Sequence, residues 1–124
     1  MANAVIFVEM RAFAARRSSR LSDDEYRALQ SFLLENSAAG NVIPGCGGLR
    51  EIRVADLRRG KGKRSGIRVT YLDLPRADRI DLITIYSKDE QEDLTADDKK
   101  AYRMLAHHIR AGIEAQRRLR RDKQ

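Results

Sequence analysis

Between Arg53 and Arg68 the chain places seven cations, at 53, 58, 59, 61, 63, 64 and 68, against one acid, Asp56, and interleaves Gly60, Gly62 and Gly66. Arginine grips phosphate oxygens as a planar fork, and lysine acts as a point charge or proton carrier. Such a run suits a phosphate cradle, a polyanion surface or a solvated loop. A Walker-type cradle needs a glycine five residues before its Gly-Lys pair and a Ser or Thr after it. Counting back from Gly60 and Gly62 gives Ala55 and Leu57, and the residues after Lys61 and Lys63 are Gly62 and Arg64. A dinucleotide fingerprint fails too, because its third glycine would fall where Ser65 stands.

Other chemistry is sparser. His107 and His108 are neighbours on a predicted helix. They point about 100° apart and cannot grip one ion together, so no metal is expected and one ring is expected to line the core edge. Cys46 lies in the glycine-rich turn "VIPGCGG" and reads as an ordinary small residue. Glu90 and Glu92 read as a solvated acidic loop. A polyanion surface remains. In extended backbone alternate side chains share a face, which sets Arg53 opposite Ile52 and Val54, and Arg68 opposite Ile67, Val69 and Tyr71. Arg53 and Arg68 then rise from one sheet face with the loop cations between them, and Tyr71 belongs to the core.

The elements that must carry these residues are readable. "AVIFVE" predicts an opening strand, and Met10–Arg20 a short helix. Ser22 and Glu25 have the spacing of a capping box, Leu21 and Tyr26 that of a hydrophobic staple, and Tyr26, Leu29, Phe32 and Leu33 form an apolar stripe. A helix over 23–36 follows. After the "VIPGCGG" connector, predicted to be irregular, come strands at 49–54, 66–72 and 80–86, whose short connections favour antiparallel hairpins. Thr95 with Asp98 caps a last helix whose buried stripe is Leu105, Ile109 and Ile113, and residues 117–124 are expected to fray as a basic tail. The fold class is α+β: an antiparallel sheet of about four strands with N-terminal helices and a C-terminal helix.

The chain has 124 residues, 42% of them hydrophobic, which suits one domain over 1–124 with a modest core. A net charge of +7 and a pI near 10.0 direct it towards polyanions. No apolar run has membrane-spanning length, and "MANAVIFVEMRAF" lacks the basic start of a signal peptide. One cysteine suits a reducing compartment, so a cytoplasmic protein without membrane contact is expected.

The blocks "GCGGLREIRVADLRRGKGKRSGIRVTY" and "LITIYSKDEQEDLTADDKKAYRMLAHHIR", over roughly residues 40–110, resemble the RelE/HigB superfamily of toxins from bacterial type II toxin–antitoxin systems, nearest its HigB-type branch. The resemblance implies a RelE-like fold and a ribosome-dependent mRNA endoribonuclease that cuts in the decoding site, needs no cofactor and inhibits translation. The ribose 2′-hydroxyl would attack the adjacent phosphate, a reaction for which DNA lacks the nucleophile. Carried over by position, Lys61, Lys63, Arg68 and Lys88 are the catalytic candidates. Lys61 or Lys63 would transfer protons, and Arg68 and Lys88 would hold the phosphate. Arg53, Arg58, Arg59 and Arg64 would bind ribosomal RNA. Expected partners are the ribosome with its mRNA and a cognate antitoxin, a helix-turn-helix DNA-binding protein of HigA type. The chain departs from the pattern where Asp89 follows Lys88, where Leu94 replaces a catalytic tyrosine, and at Glu51, where many HigB-type relatives carry lysine. Tyr86 is the alternative tyrosine. Two other readings stay open: a non-enzymatic RNA- or ribosome-binding relative, and a ParE-like gyrase inhibitor, which would lack the basic hairpin.

Overall fold

The computed structural model describes residues 4–54, 66–90 and 94–123. Two helices begin where local chemistry starts them. The Ser22 hydroxyl accepts from the Glu25 amide while the Glu25 carboxylate accepts from the Ser22 amide. Thr95 and Asp98 repeat the exchange. Each box satisfies two amide groups that a helix start leaves without partners.

In chain order the elements are β1 (Ile6–Glu9), α1 (Arg11–Arg20), α2 (Asp23–Glu35), β2 (Asn41–Val42), β3 (Arg50–Arg53), β4 (Ile67–Leu74), a 3-10 turn (Pro75–Ala77), β5 (Arg79–Ser87) and α3 (Ala96–Asp122). The strands form one five-stranded sheet in the order β1-β5-β4-β3-β2. The structure is α+β with three helices.

The sheet separates two apolar layers. On one face Phe13, Leu21, Leu29 and Leu33 of the α1–α2 region pack against Ile52, Val69, Tyr71, Leu82 and Ile85. On the other, Ala106 and Ile109 of α3 pack against Leu49, Leu72, Leu74, Ile83 and Cys46. Burial of the Cys46 side chain pushes its thiol pKa up, which suits a core residue rather than a nucleophile.

The sheet differs from the sequence expectation in three places. It has five strands, and β1 runs parallel to β5, pairing Ile6 with Arg79 and Glu9 with Leu82. Short connections dictate antiparallel pairing for β3, β4 and β5. β1 reaches the rest of the sheet through two helices, so its direction is set by packing. Val42, expected in irregular chain, joins Asn41 in β2 and pairs with Arg50. The third difference is a bulge. The β4–β5 register shifts between Thr70 and Tyr71, so that Thr70 opposes Thr84 while Tyr71 opposes Leu82. The extra residue, Ile83, packs in the α3 layer between Leu82 and Ile85 of the opposite layer.

α3 also corrects the sequence reading. Residues 117–122 continue the helix instead of fraying. Beyond Gly112 the stretch is Ile, Glu, Ala, Gln, Arg and Leu, mostly strong helix formers, with no proline or glycine to stop it. His107 and His108 are both exposed, because Ala106 and Ile109 take the inward positions. Arg103 and Arg110 donate to the carbonyls of Gly45 and Gly47 at 2.8 and 2.6 Å, tying the 43–49 turn to α3. Gly47 has φ +71°, and a β-carbon there would stand 3.0 Å from the Ala106 methyl, so the tie needs glycine.

Candidate functional site

Period-two alternation and the ladder register bring polar side chains onto the α3-facing side of the sheet, at one end of it. Arg53 on β3 opposes Arg68 on β4, and Arg68 opposes Tyr86 on β5. One step along, Glu51 opposes Thr70, and Thr70 opposes Thr84. Two arginines directly across a strand pair repel, so an anion is needed nearby. Glu51 supplies one: Arg68 Nη1 lies 3.0 Å from Glu51 Oε1, with both side chains a little over one-fifth exposed. The Tyr86 hydroxyl donates to the other carboxylate oxygen, Oε2, at 2.8 Å. Burial and the Glu51 carboxylate push the Tyr86 pKa well above its ordinary value. At neutral pH this phenol is a proton donor. Beside the triad the Thr70 and Thr84 hydroxyls share a hydrogen bond at 2.6 Å.

A groove of about 410 Å³ opens along this end of the sheet, lined by Gly40, Asn41, Val42, Glu51, Arg53 and Arg68 among others. β2 spans two residues and covers β3 at Arg50 and Glu51, so the Ile52–Arg53 end of β3 extends beyond the paired stretch. Behind the groove, Tyr71 is fully buried on the opposite face from Arg68, where its hydroxyl donates to the Ser37 carbonyl at 2.7 Å and accepts from the Gly40 amide at 2.8 Å. Tyr71 is a core residue, as alternation predicts.

Lys88 reaches the same end of the sheet. Its amide donates to the Gly66 carbonyl at 2.7 Å, two residues beyond Tyr86 and thus about 7 Å further along the chain direction. Its side chain is exposed. The turn that carries it is fastened by Glu90, whose carboxylate accepts from the Ser87 amide at 2.8 Å, from the Ser87 hydroxyl at 3.0 Å and from Arg20 Nε at 3.0 Å. The Arg20 hydrogen bond, followed by those from Ser87, holds the Glu90 carboxyl down at about 2. Glu90 is therefore a fastening between the end of α1 and the turn after β5, where the sequence suggests a solvated loop. Glu92 lies outside the described residues.

Of the sequence candidates, Arg53 and Arg68 meet on one face and Lys88 stands at the same sheet end. Lys61, Lys63, Arg58, Arg59 and Arg64 lie outside the described residues. The chain enters that segment after Val54 and leaves it at Gly66, both next to the Arg53–Arg68 pair. Sequence reasoning missed the part played by Glu51. The available signal was its position two residues before Arg53, which puts the two on one strand face. Among the described residues no group of three or more His, Cys, Asp or Glu gathers as a metal site would require, and no helix is long and apolar enough to cross a membrane. No protein-family model matches the chain.

Proposed function

We propose that this chain is a RelE/HigB-like toxin that cleaves mRNA on the ribosome, with Arg68, Glu51 and Tyr86 at the centre of its site. The observation that carries this reading is the convergence on one side of the sheet of two opposed arginines and a carboxylate that line a groove, with a buried, protonated phenol bonded to that carboxylate, beside both ends of the basic segment. Arginines bind a phosphate, and a carboxylate at hydrogen-bond distance from one of them is a base at the right place. In the resting protein Glu51 holds the Arg68 guanidinium. When the scissile phosphate takes the guanidinium, the carboxylate is released to accept the ribose 2′-hydroxyl proton, and the Tyr86 hydroxyl keeps its other oxygen oriented. The 2′-oxygen forms its bond to phosphorus as the bond to the 5′-oxygen breaks, leaving a 2′,3′-cyclic phosphate. Arg68 and Lys88 stabilise the charge that develops on the phosphoryl oxygens. In this proposal Lys61 or Lys63 returns a proton to the leaving 5′-oxygen, and Arg53, Arg58, Arg59 and Arg64 hold ribosomal RNA through phosphate contacts.

The test is to induce the protein briefly in bacterial cells and map new 5′ ends on translated mRNA. Wild type should produce ends within codons and arrest growth. Arg68→Ala should reduce cleavage by about 100- to 1,000-fold, the effect of removing one donor to a developing oxyanion. Continued translation with intact mRNA at high wild-type expression would sink the proposal.

The Arg68–Glu51 ion pair also favours a second reading, a relative that holds RNA without cutting it, because the pair already satisfies the arginine. That reading expects salt-sensitive ribosome binding with no new 5′ ends.

A further inference from the structure

The positive charge of this chain is concentrated in two places. Residues 53–68 carry seven cations and one acid, and residues 117–123 carry five cations (Arg117, Arg118, Arg120, Arg121 and Lys123) and one acid, Asp122. The remainder is net negative, since the whole chain is +7. The second cluster is at the other end of the sheet from Arg53 and Arg68. From Arg68 to Leu74 β4 advances six residues, about 20 Å, and Arg117 Nη2 donates to the carbonyl of Arg76 in the turn just beyond.

This part of α3 does little for the core. Ile113 is the last residue of the helix that packs in the apolar layer, and Glu114–Gln116 and Arg118–Lys123 are all exposed, Leu119 at 60%. Cations favour a helix C-terminus, yet that effect fades within the last turn and covers Arg120 and Arg121, not Arg117 or Arg118. Along the helix the pairs 117/120, 117/121 and 118/121 set like charges at three- and four-residue spacing, which weakens a helix. The acid closest in sequence before the cluster, Glu114, stands 3.8 Å from Arg121. Helix stability therefore does not explain the cluster. Arg76, Arg117 and Arg120 also line a groove of about 310 Å³ between the β4–β5 turn and α3, with Ile6, Asp78 and Arg79 among its other walls. Arg79 is committed to Asp81, 2.6 Å away. Among the described residues no aromatic ring lines this groove, so it lacks the stacking platform that single-stranded bases use.

We propose that the basic end of α3, with Arg76 beside it, is a second RNA-binding surface, one that grips the phosphate backbone of a base-paired stem. An arginine-rich, ring-free ridge fits phosphates at any sequence, and it requires no chemistry at the Arg68 site. The surface goes beyond the proposed cleavage reaction and stands without it.

The test is fluorescence anisotropy of a labelled RNA stem-loop of about a dozen base pairs across a salt series. Arg118→Gln/Arg120→Gln/Arg121→Gln keeps good helix formers and leaves the Arg117–Arg76 bond in place. It should weaken binding at least tenfold at low salt and lower the slope of log Kd against log salt by about 2 to 3, at roughly 0.9 for each phosphate that an arginine no longer neutralises. The matching triple lysine variant, with charge restored, should return the slope to the wild-type value. Unchanged affinity and slope in the glutamine variant, with far-UV circular dichroism matching wild type, would overturn the proposal. So would a glutamine variant that loses affinity for poly-glutamate and not for RNA, which would assign the ridge to an acidic protein partner. A wild-type protein that binds the stem through α3 but yields no 5′ ends on ribosomes would refute the cleavage reading and leave this surface standing.

Discussion

At the scale of single residues the decisive side chain is Glu51. It lies between a guanidinium and a phenol, so it can brake RNA binding, take a proton, or do both. Glu51→Gln separates these roles. Removing a negative charge beside Arg68 should leave RNA affinity unchanged or tighten it, while cleavage falls about 100-fold or more if the carboxylate is the base. Single-turnover cleavage and binding measured on the same programmed ribosomes give both numbers, and a variant that binds more tightly and cuts faster would make Glu51 a brake alone. The direction in which Arg68 points was legible from alternation in "GIRVTY", and so was the burial of Tyr71. The Glu51–Arg68–Tyr86 contact was not. It joins residues 17 and 35 positions apart along the chain, and it requires the register of two strand pairs. The bulge at Ile83 has no local sequence marker.

At the scale of elements, two fastenings can be tested separately. The first is Glu90, which ties the Lys88 turn to α1. Its pKa in the fold is below the ordinary value, so the fastening is complete above about 4.5 and is lost as pH falls through about 2. The Ser87 amide, which donates to this carboxylate, should report the titration by NMR with a midpoint near 2 in wild type. In Arg20→Ala the midpoint should rise towards 4.5, because Arg20 is the largest cause of the depression. A midpoint that stays near 2 would transfer the role to the Ser87 hydrogen bonds. The second fastening is the approach of Gly40 to Tyr71. A β-carbon on Gly40 would lie 2.8 Å from both Tyr71 Cε1 and its hydroxyl, and 3.0 Å from the Glu51 carbonyl oxygen. Gly40→Ala must displace a buried ring that bonds two backbone groups, so it should cost about 1–3 kcal/mol, read from chemical denaturation. Helices α2 and α3 were legible because caps and apolar stripes are local signals, whereas α1, which carries Arg20, has no side-chain cap. The parallel pairing of β1 was not, since nothing in "AVIFVE" specifies which strand it will meet.

At the scale of the molecule, α3 runs along one side of the sheet from the end that carries Arg53 and Arg68 to the end where its own basic residues stand. Tyr102 contributes to the electrostatic environment of Tyr86 at one end, and Arg117 bonds Arg76 at the other, fifteen residues or about 22 Å along the helix. If both regions hold one RNA, binding at the second becomes intramolecular once the first is engaged, and affinity should depend steeply on RNA length. An RNA stem is A-form, with a rise of about 2.8 Å per base pair, so about seven base pairs cover the roughly 20 Å of β4 between Arg68 and Leu74. A four-base-pair stem should therefore bind weakly and lose affinity to either Arg53→Gln/Arg68→Gln or the α3 glutamine variant, not to both in sum. A twelve-base-pair stem should bind more than tenfold tighter, and the two sets of substitutions should then act together, with losses in log Kd that add. Equal affinity for the two lengths would mean that the regions work on separate partners. In that case the protein's charge would be divided between two tasks and not spread along one bound RNA.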